Sequence, residues 1–198
     1  SGSLGDVGCF SFYPTKSLSC YGDGGAITTN DKKIYEILKS IRVHGKSEKN
    51  GNFDRIGLTG RLDTIQATVL LEKLKKFRSE QKLRMGIAKI YTNAFKQNKL
   101  IKTQKIEKYS LSTFSVFSIE FNNYKLKNKV ISKFKKNKIG YNVYYKRPMH
   151  LEKVFFNLGL KKNSFPKSEN LSRNILSIPI DPYMKKKNII KIIKIING

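Results

Sequence analysis

Residues 11–26 read SFYPTKSLSCYGDGGA, and the organisation of the chain follows from what surrounds Lys16 in that stretch. Apolar runs at 7–13 and 26–29 bracket a segment rich in Gly and Ser, which predicts a strand, a functional loop and a second strand. Lys16 falls just after the first run and before the Gly-rich turn, with Ser11, Pro14 and Thr15 beside it. An amine held there is expected to be partly desolvated, which favours its neutral, nucleophilic form towards a carbonyl. Ser11 and the loop N–H groups are placed to hold a phosphate next to it. Reactive amine plus phosphate is what pyridoxal phosphate chemistry requires; a lysine beside an ordinary turn is the other reading. Gly22, Gly24 and Gly25 are expected to serve turn geometry through positive φ.

Downstream, Asp31 is positioned to cap a helix to about Val43, with Ile34, Ile37, Leu38 and Ile41 at helical spacing. Residues 44–60 are polar, hold four glycines and show no period, so an extended loop is expected. Leu62, Ile65, Gln66, Val69, Leu70, Leu74 and Phe77 then trace a long amphipathic helix, and Leu83, Ile87, Ile90, Tyr91 and Phe95 continue its stripe. A helix of that length is able to span two domains.

From about Leu111 the pattern changes. Alternation over 114–121 predicts a strand, followed by a helix at 126–138 and a short strand at 141–145. The surroundings of Pro148 and Pro166 read as loops, Ser168 opens a helix to about Leu176, Asp181-Pro182 marks a turn, and an Ile-rich helix ends the chain. Strands alternating with helices and few tight hairpin signals indicate an α/β or α+β design, with domains at 1–110 and 111–198.

Composition narrows the function classes. Lys and Arg total 40 against 14 acidic residues, a net charge of +26, yet only seven of the basic residues are Arg. A phosphate-gripping surface would favour the bidentate Arg fork, so Lys enrichment alongside abundant Ile and Asn reads as coding bias, and nucleic acid is not the favoured partner. The charge still attracts a small anionic substrate. No uncharged apolar run of roughly 20 residues is present, since Lys191 and Lys194 break the Ile-rich end, so no membrane partner is expected. Two cysteines, Cys9 and Cys20, do not make a disulfide framework and suit a reducing, cytoplasmic compartment. With two His besides, they lack metal-ligand spacing, and no metal is expected.

The segment SFYPTKSLSCYGDGGA resembles the cofactor-lysine segment of the DegT/StrS family of nucleotide-sugar aminotransferases. The resemblance continues in order through RVHG (42–45), IGLTGRLDTIQA (56–67), EKL (72–74), VYYKRPMH (143–150), FPKSE (165–169) and IPIDPYM (178–184). It implies part of a fold-type I pyridoxal-phosphate transferase large domain, α/β in class, followed by a smaller α+β C-terminal domain. It also implies that Lys16 forms the internal Schiff base with pyridoxal 5'-phosphate and shuttles the proton, and that Ser11 hydrogen-bonds the phosphate. Thr59 stands where the family carries an Asn that reaches the neighbouring subunit's cofactor; a Thr hydroxyl still donates one hydrogen bond but is shorter.

Arg61 is placed near the active site by the same resemblance, with pairing to Asp63 or capping of the long helix as the other reading. His44 is read either as a loop residue lining the partner's site or as a structural one. Tyr145 and His150 fall in a segment that in relatives approaches the sugar nucleotide, and packing within the small domain competes for both. The tyrosine pair Tyr144-Tyr145 and the stretch 42–74 look most like the branch acting on 3-keto sugars carried on uridine diphosphate, including a 3-oxo-uronic acid. Lys46 is then available to a sugar carboxylate or diphosphate, or else is solvated.

The implied protein is a homodimer using an amino donor such as glutamate in cell-surface glycan synthesis. Relatives are roughly twice as long and place the pyridine-nitrogen acid, a stacked aromatic and a phosphate loop in their first half. The chain is therefore expected to be the C-terminal half, inactive by itself. A non-catalytic basic binding or regulatory module that retains the fold is the alternative from another class.

Overall fold

In the computed structural model, which describes residues 2–198, the chain separates into two compact units, Ser1–Arg78 and Ser79–Gly198. In the first, β1 (Gly8–Ser11) pairs antiparallel with β2 (Gly25–Thr28), Cys9 opposite Ile27 and Ser11 opposite Gly25. The loop between them carries Lys16, as the strand–loop–strand pattern predicts. Helix α1 (Lys32–Ile41) starts where Asp31 caps it: the carboxylate accepts the N–H groups of Lys33 at 2.6 Å and Ile34 at 3.1 Å.

Residues 44–60 form a loop with more order than their composition suggests. It is folded back on itself through isolated antiparallel bridges, Val43 to Thr59 and Lys46 to Phe53. Gly45 has φ +81° and a Cβ on it would lie 1.7 Å from the Arg55 carbonyl oxygen, so only glycine fits that crossing. By contrast, Gly22, Gly24 and Gly25 do not have positive φ, which corrects the turn-geometry expectation. Two of them are required by close approach: a Cβ on Gly24 would lie 2.5 Å from the Cys20 sulfur, and one on Gly25 2.8 Å from the Phe10 carbonyl oxygen.

Helix α2 (Thr64–Phe95) is a single element of 32 residues whose first half belongs to one unit and second half to the other. The compact division thus falls inside this helix, upstream of the compositional change near Leu111. The physical reason is that β3 (Ile101–Thr103) pairs with β4 (Phe117–Phe121), which ties residues before 111 into the second unit.

The second unit is α+β. Its sheet has the order β3-β4-β5, all antiparallel, with β5 (Ile175–Ile178) set against β4 so that Phe117 faces Ile178 and Ile119 faces Leu176. Alternation along β4 sends Phe117, Ile119 and Phe121 into the core while Ser118 and Glu120 stay half-buried. Helix α3 (Tyr124–Lys136), capped by Asn123, adds Val130 and Phe134, and α5 (Lys186–Asn197) adds Ile189, Ile192 and Ile196. Ile87, Ala88, Tyr91 and Phe95 from the end of α2 close the same cluster. Tyr91 is wholly buried; burial pushes its phenol up, and its hydroxyl donates to the Pro179 carbonyl at 3.0 Å. Helix α4 (Pro166–Asn174) begins at Pro166 itself, which is pre-organised for a first helical turn and is not in a loop. Its final turn receives the buried Lys127 ammonium at the Arg173 carbonyl.

The first unit is different. Among its described residues, Cys20 and Leu70 are the only buried apolar side chains, while Ile37, Ile65, Leu71 and Leu74 are exposed. Burial on that scale does not offset the entropy of ordering so long a chain, so the apolar faces of this unit require covering by further protein.

Candidate functional site

The β1–β2 loop is built from the hairpin outward. The Phe12 N–H donates to the Gly24 carbonyl at 2.7 Å, and the Cys20 N–H donates to the Phe12 carbonyl at 2.7 Å, so the chain leaves and re-enters the hairpin at a fixed point. Between these bonds the Lys16 N–H closes a turn on the Tyr13 carbonyl at 2.8 Å. The far side of the loop rests on α2, where Gln66 Oε1 accepts the Tyr21 N–H at 2.8 Å and Lys73 Nζ donates to Ser19.

Lys16 is exposed on this loop, and its ammonium has no hydrogen bond or ion pair among the described residues. The desolvation expected of it is therefore not supplied by the described residues, since the side chain stands exposed on the loop. Ser11 is exposed too; its oxygen accepts one long bond from the Tyr13 N–H at 3.4 Å and its proton is unengaged. A free amine on a loop anchored at both ends and a free hydroxyl at the end of β1 fit the aldehyde and phosphate of pyridoxal phosphate.

The remaining candidates separate by unit. Thr59 is exposed and bridges Val43, with its hydroxyl uncommitted among the described residues. Lys46 is exposed beside Phe53 on the folded loop. His44 has φ +61° and is exposed, its N–H bonded to the Leu58 carbonyl at 3.1 Å. Arg61 forms no ion pair with Asp63; it lines a cavity of about 580 Å³ together with Arg42, Tyr35, Leu38 and the Asp23-Gly24-Gly25 turn.

In the second unit the expected strand at 141–145 reduces to a single bridge, Asn142 with Ser177, made by bonds of 3.0 and 2.8 Å. Tyr144 and Tyr145 follow it, half-buried rings being absent here: both are exposed and meet edge to face at 5.5 Å, and the Tyr144 hydroxyl accepts from Asn142 Nδ2 at 2.8 Å. Exposed aromatic hydroxyls of this kind are open to a ligand. His150 is not. It is 7% exposed, with Nε2 3.0 Å from Glu169 Oε1 and its ring edge to face with Phe165 at 4.9 Å, so packing takes up the imidazole.

The same Glu169 oxygen accepts the Asn163 N–H at 2.8 Å and the Phe165 N–H at 3.4 Å, which makes a clasp around the segment between two short 3₁₀ turns, Met149–Leu151 and Lys153–Leu158, and α4. Burial alone would raise the Glu169 carboxyl, but the bonds from His150, Phe165 and Asn163 outweigh it and hold the group below its ordinary 4.5. A carboxyl depressed on folding stabilises the fold above its unfolded value, and the gain is lost as pH falls through the folded value. Wild type is therefore expected to be more stable than Glu169→Gln at pH 7, with the two denaturation midpoints converging as pH is lowered from 4.5. A gap that stays constant across that window would contradict the clasp.

Among the described residues no three of His, Cys, Asp and Glu come together as a metal site, and no helix is long and apolar enough to cross a membrane. A positive groove of about 620 Å³ between α3 and α5 is lined by Lys133, Lys136, Lys187, Lys191 and Lys194. Neither Arg nor an aromatic ring lines it, so it offers charge without bidentate phosphate grip or base stacking.

The sequence matches the DegT/DnrJ/EryC1/StrS aminotransferase family over residues 1–197. It is 33% identical over 187 residues to a UDP-2-acetamido-2-deoxy-3-oxo-D-glucuronate aminotransferase of Pseudomonas aeruginosa, covering 94% of this chain and 50% of that protein. It is also 33% identical over 188 residues to a pleiotropic regulatory protein of Geobacillus stearothermophilus, again 94% of this chain and 50% of that one. A crystal structure of a DegT DnrJ EryC1 StrS aminotransferase from Brucella abortus superposes with a TM-score of 0.91 at 38% identity, over 100% of this chain and 52% of that one. The chain spans about half the length of the curated relatives it matches.

Proposed function

Because the chain belongs to the DegT/DnrJ/EryC1/StrS aminotransferase family, we propose that it carries the cofactor lysine of an aminotransferase that adds an amino group to a keto sugar of a nucleotide sugar. The observation that carries this reading is Lys16: an exposed amine without a partner among the described residues, on a loop pinned at both ends. Pyridoxal 5'-phosphate, when bound, supplies an aldehyde that joins amines and a ring that takes up electrons.

The chain's own residues supply the rest. With the cofactor bound, Lys16 Nζ would be the amine that holds it and the base that moves a proton at the substrate carbon. Ser11 Oγ donates its free proton to the phosphate, and Thr59 offers a further single donor, in keeping with a site completed by a second subunit of a homodimer. Arg61 and Lys46 are the cations for the diphosphate or a sugar carboxylate, and the exposed Tyr144 and Tyr145 are the hydroxyl and stacking groups for the sugar nucleotide.

Similarity to the Pseudomonas protein, named for a UDP-linked 3-oxo sugar, supports a UDP-linked 3-keto sugar as the substrate class; glutamate as amino donor and a cytoplasmic role in glycan synthesis belong to the same proposal. The first unit, with its uncovered apolar faces, supports a domain completed by further chain. Similarity to a protein named as a regulator, together with the +26 charge and Thr59, favours a second reading as a basic module that keeps the fold without catalysis.

Incubating the intact protein with glutamate, pyridoxal phosphate and a UDP-linked 3-keto sugar separates the two. The expected result is formation of 2-oxoglutarate and an amino sugar in equal amounts. No transfer with 3-keto or 4-keto nucleotide sugars, in a protein that binds polyanions with a steep salt dependence, would favour the module.

A further inference from the structure

We infer that Lys73 and Gln66 on α2 are positioning residues for Lys16, acting through the loop that follows it. This rests on the aminotransferase reading of Lys16. The hairpin itself holds the loop only at Phe12, through its bonds with Cys20 and Gly24. Ser19 and Tyr21, which flank Cys20, receive their side-chain anchors from α2. Lys73 Nζ donates to both oxygens of Ser19, the carbonyl at 2.7 Å and the hydroxyl at 3.0 Å, and lies 4.7 Å from the centre of the Tyr21 ring. Gln66 Oε1 accepts the Tyr21 N–H at 2.8 Å.

Gln66 and Lys73 are seven residues apart, about two turns, so they share one face of the helix and grip the loop as a pair. The loop lies close against that face: a Cβ on Gly22 would come within 3.3 Å of Gln66 Nε2. Ser19 is buried at 8% exposure, so its carbonyl needs a partner from the protein, and Lys73 is that partner. No carboxylate among the described residues pairs with Lys73; its charge is committed to Ser19 and the Tyr21 face. Ser19 is three residues from Lys16, a reach of about 10 Å at full extension, so freedom at Ser19 passes to the amine.

The test uses the intact protein with Lys73→Met and Lys73→Arg. Hydrogen exchange without cofactor reads the loop, and the pH titration of the lysine-bound cofactor's absorbance band reads the amine. Lys73→Met is expected to speed exchange at the Cys20 and Tyr21 amides by about tenfold or more, and to weaken cofactor retention by about the same factor with a displaced pH midpoint. Lys73→Arg, whose guanidinium spans the same two oxygens and stacks on Tyr21, is expected to restore most of both. Native exchange, retention and pH midpoint in Lys73→Met would overturn the proposal, as would losses that Lys73→Arg leaves unrestored. Should Lys73→Met fail to fold, Gln66→Ala is read by the same two measurements, with the same outcomes deciding. A Lys16→Ala protein that still holds the cofactor covalently would instead sink the aminotransferase reading, and leaves the exchange result untouched.

Discussion

Replacing Lys16 with Ala in the intact protein is expected to lower amino transfer by about a thousandfold or more, since one amine is asked both to hold the cofactor and to move the proton. Stability is expected to change by no more than about 0.5 kcal/mol, because the side chain is exposed and makes no contact that folding depends on. That combination is the signature of a reacting group, and steady-state kinetics beside a denaturant titration reads it. Lys16→Arg is expected to fail equally, as a guanidinium stays charged and does not act as a nucleophile. Activity within tenfold of wild type in Lys16→Ala would remove the residue from the chemistry.

The second large effect is on stability alone. Phe134 is wholly buried on α3, packed among the β4 and α5 side chains with its ring 6.4 Å from that of Tyr141. Phe134→Ala removes the largest side chain that α3 contributes to this core, and is expected to cost about 3–5 kcal/mol, a large part of what a domain of this size has in total. Lys125→Ala on the exposed face of the same helix is expected to stay within about 0.5 kcal/mol. Far-UV circular dichroism in urea measures both; a Phe134→Ala midpoint close to wild type would show that the core does not centre on this layer.

The elements most legible in the sequence are those whose signals are local. Asp31 capping α1, the alternation of Phe117, Ile119 and Phe121, and the period of Ile189, Ile192 and Ile196 are all written within a turn or two of chain. Strand β3 is three residues long with one buried side chain, and β5 follows α4 without a break, so neither carries a period of its own. Both exist because β4 lies between them, and that pairing joins segments far apart in sequence. The stretch 141–145 has the composition of a strand but finds only Ser177 to pair with.

The candidate site divides in the same way. Lys16, its loop and the glycines that follow are visible as a motif, whereas the burial of His150 is decided by Glu169, nineteen positions on, and by Phe165. The Lys73 and Gln66 anchors were the least legible part. Gln66 reads as one member of the long helix's stripe and Lys73 as one lysine among many, and only the folded position of Ser19 and Tyr21 gives them a role.

Everything proposed for this chain depends on where the cofactor joins it, and one measurement asks that directly. The intact protein is loaded with pyridoxal phosphate, reduced with borohydride, digested and mapped by mass spectrometry. The expected product is a single phosphopyridoxyl group on the peptide that contains Lys16. Label spread over other lysines, with the Lys16 peptide unmodified, would contradict it.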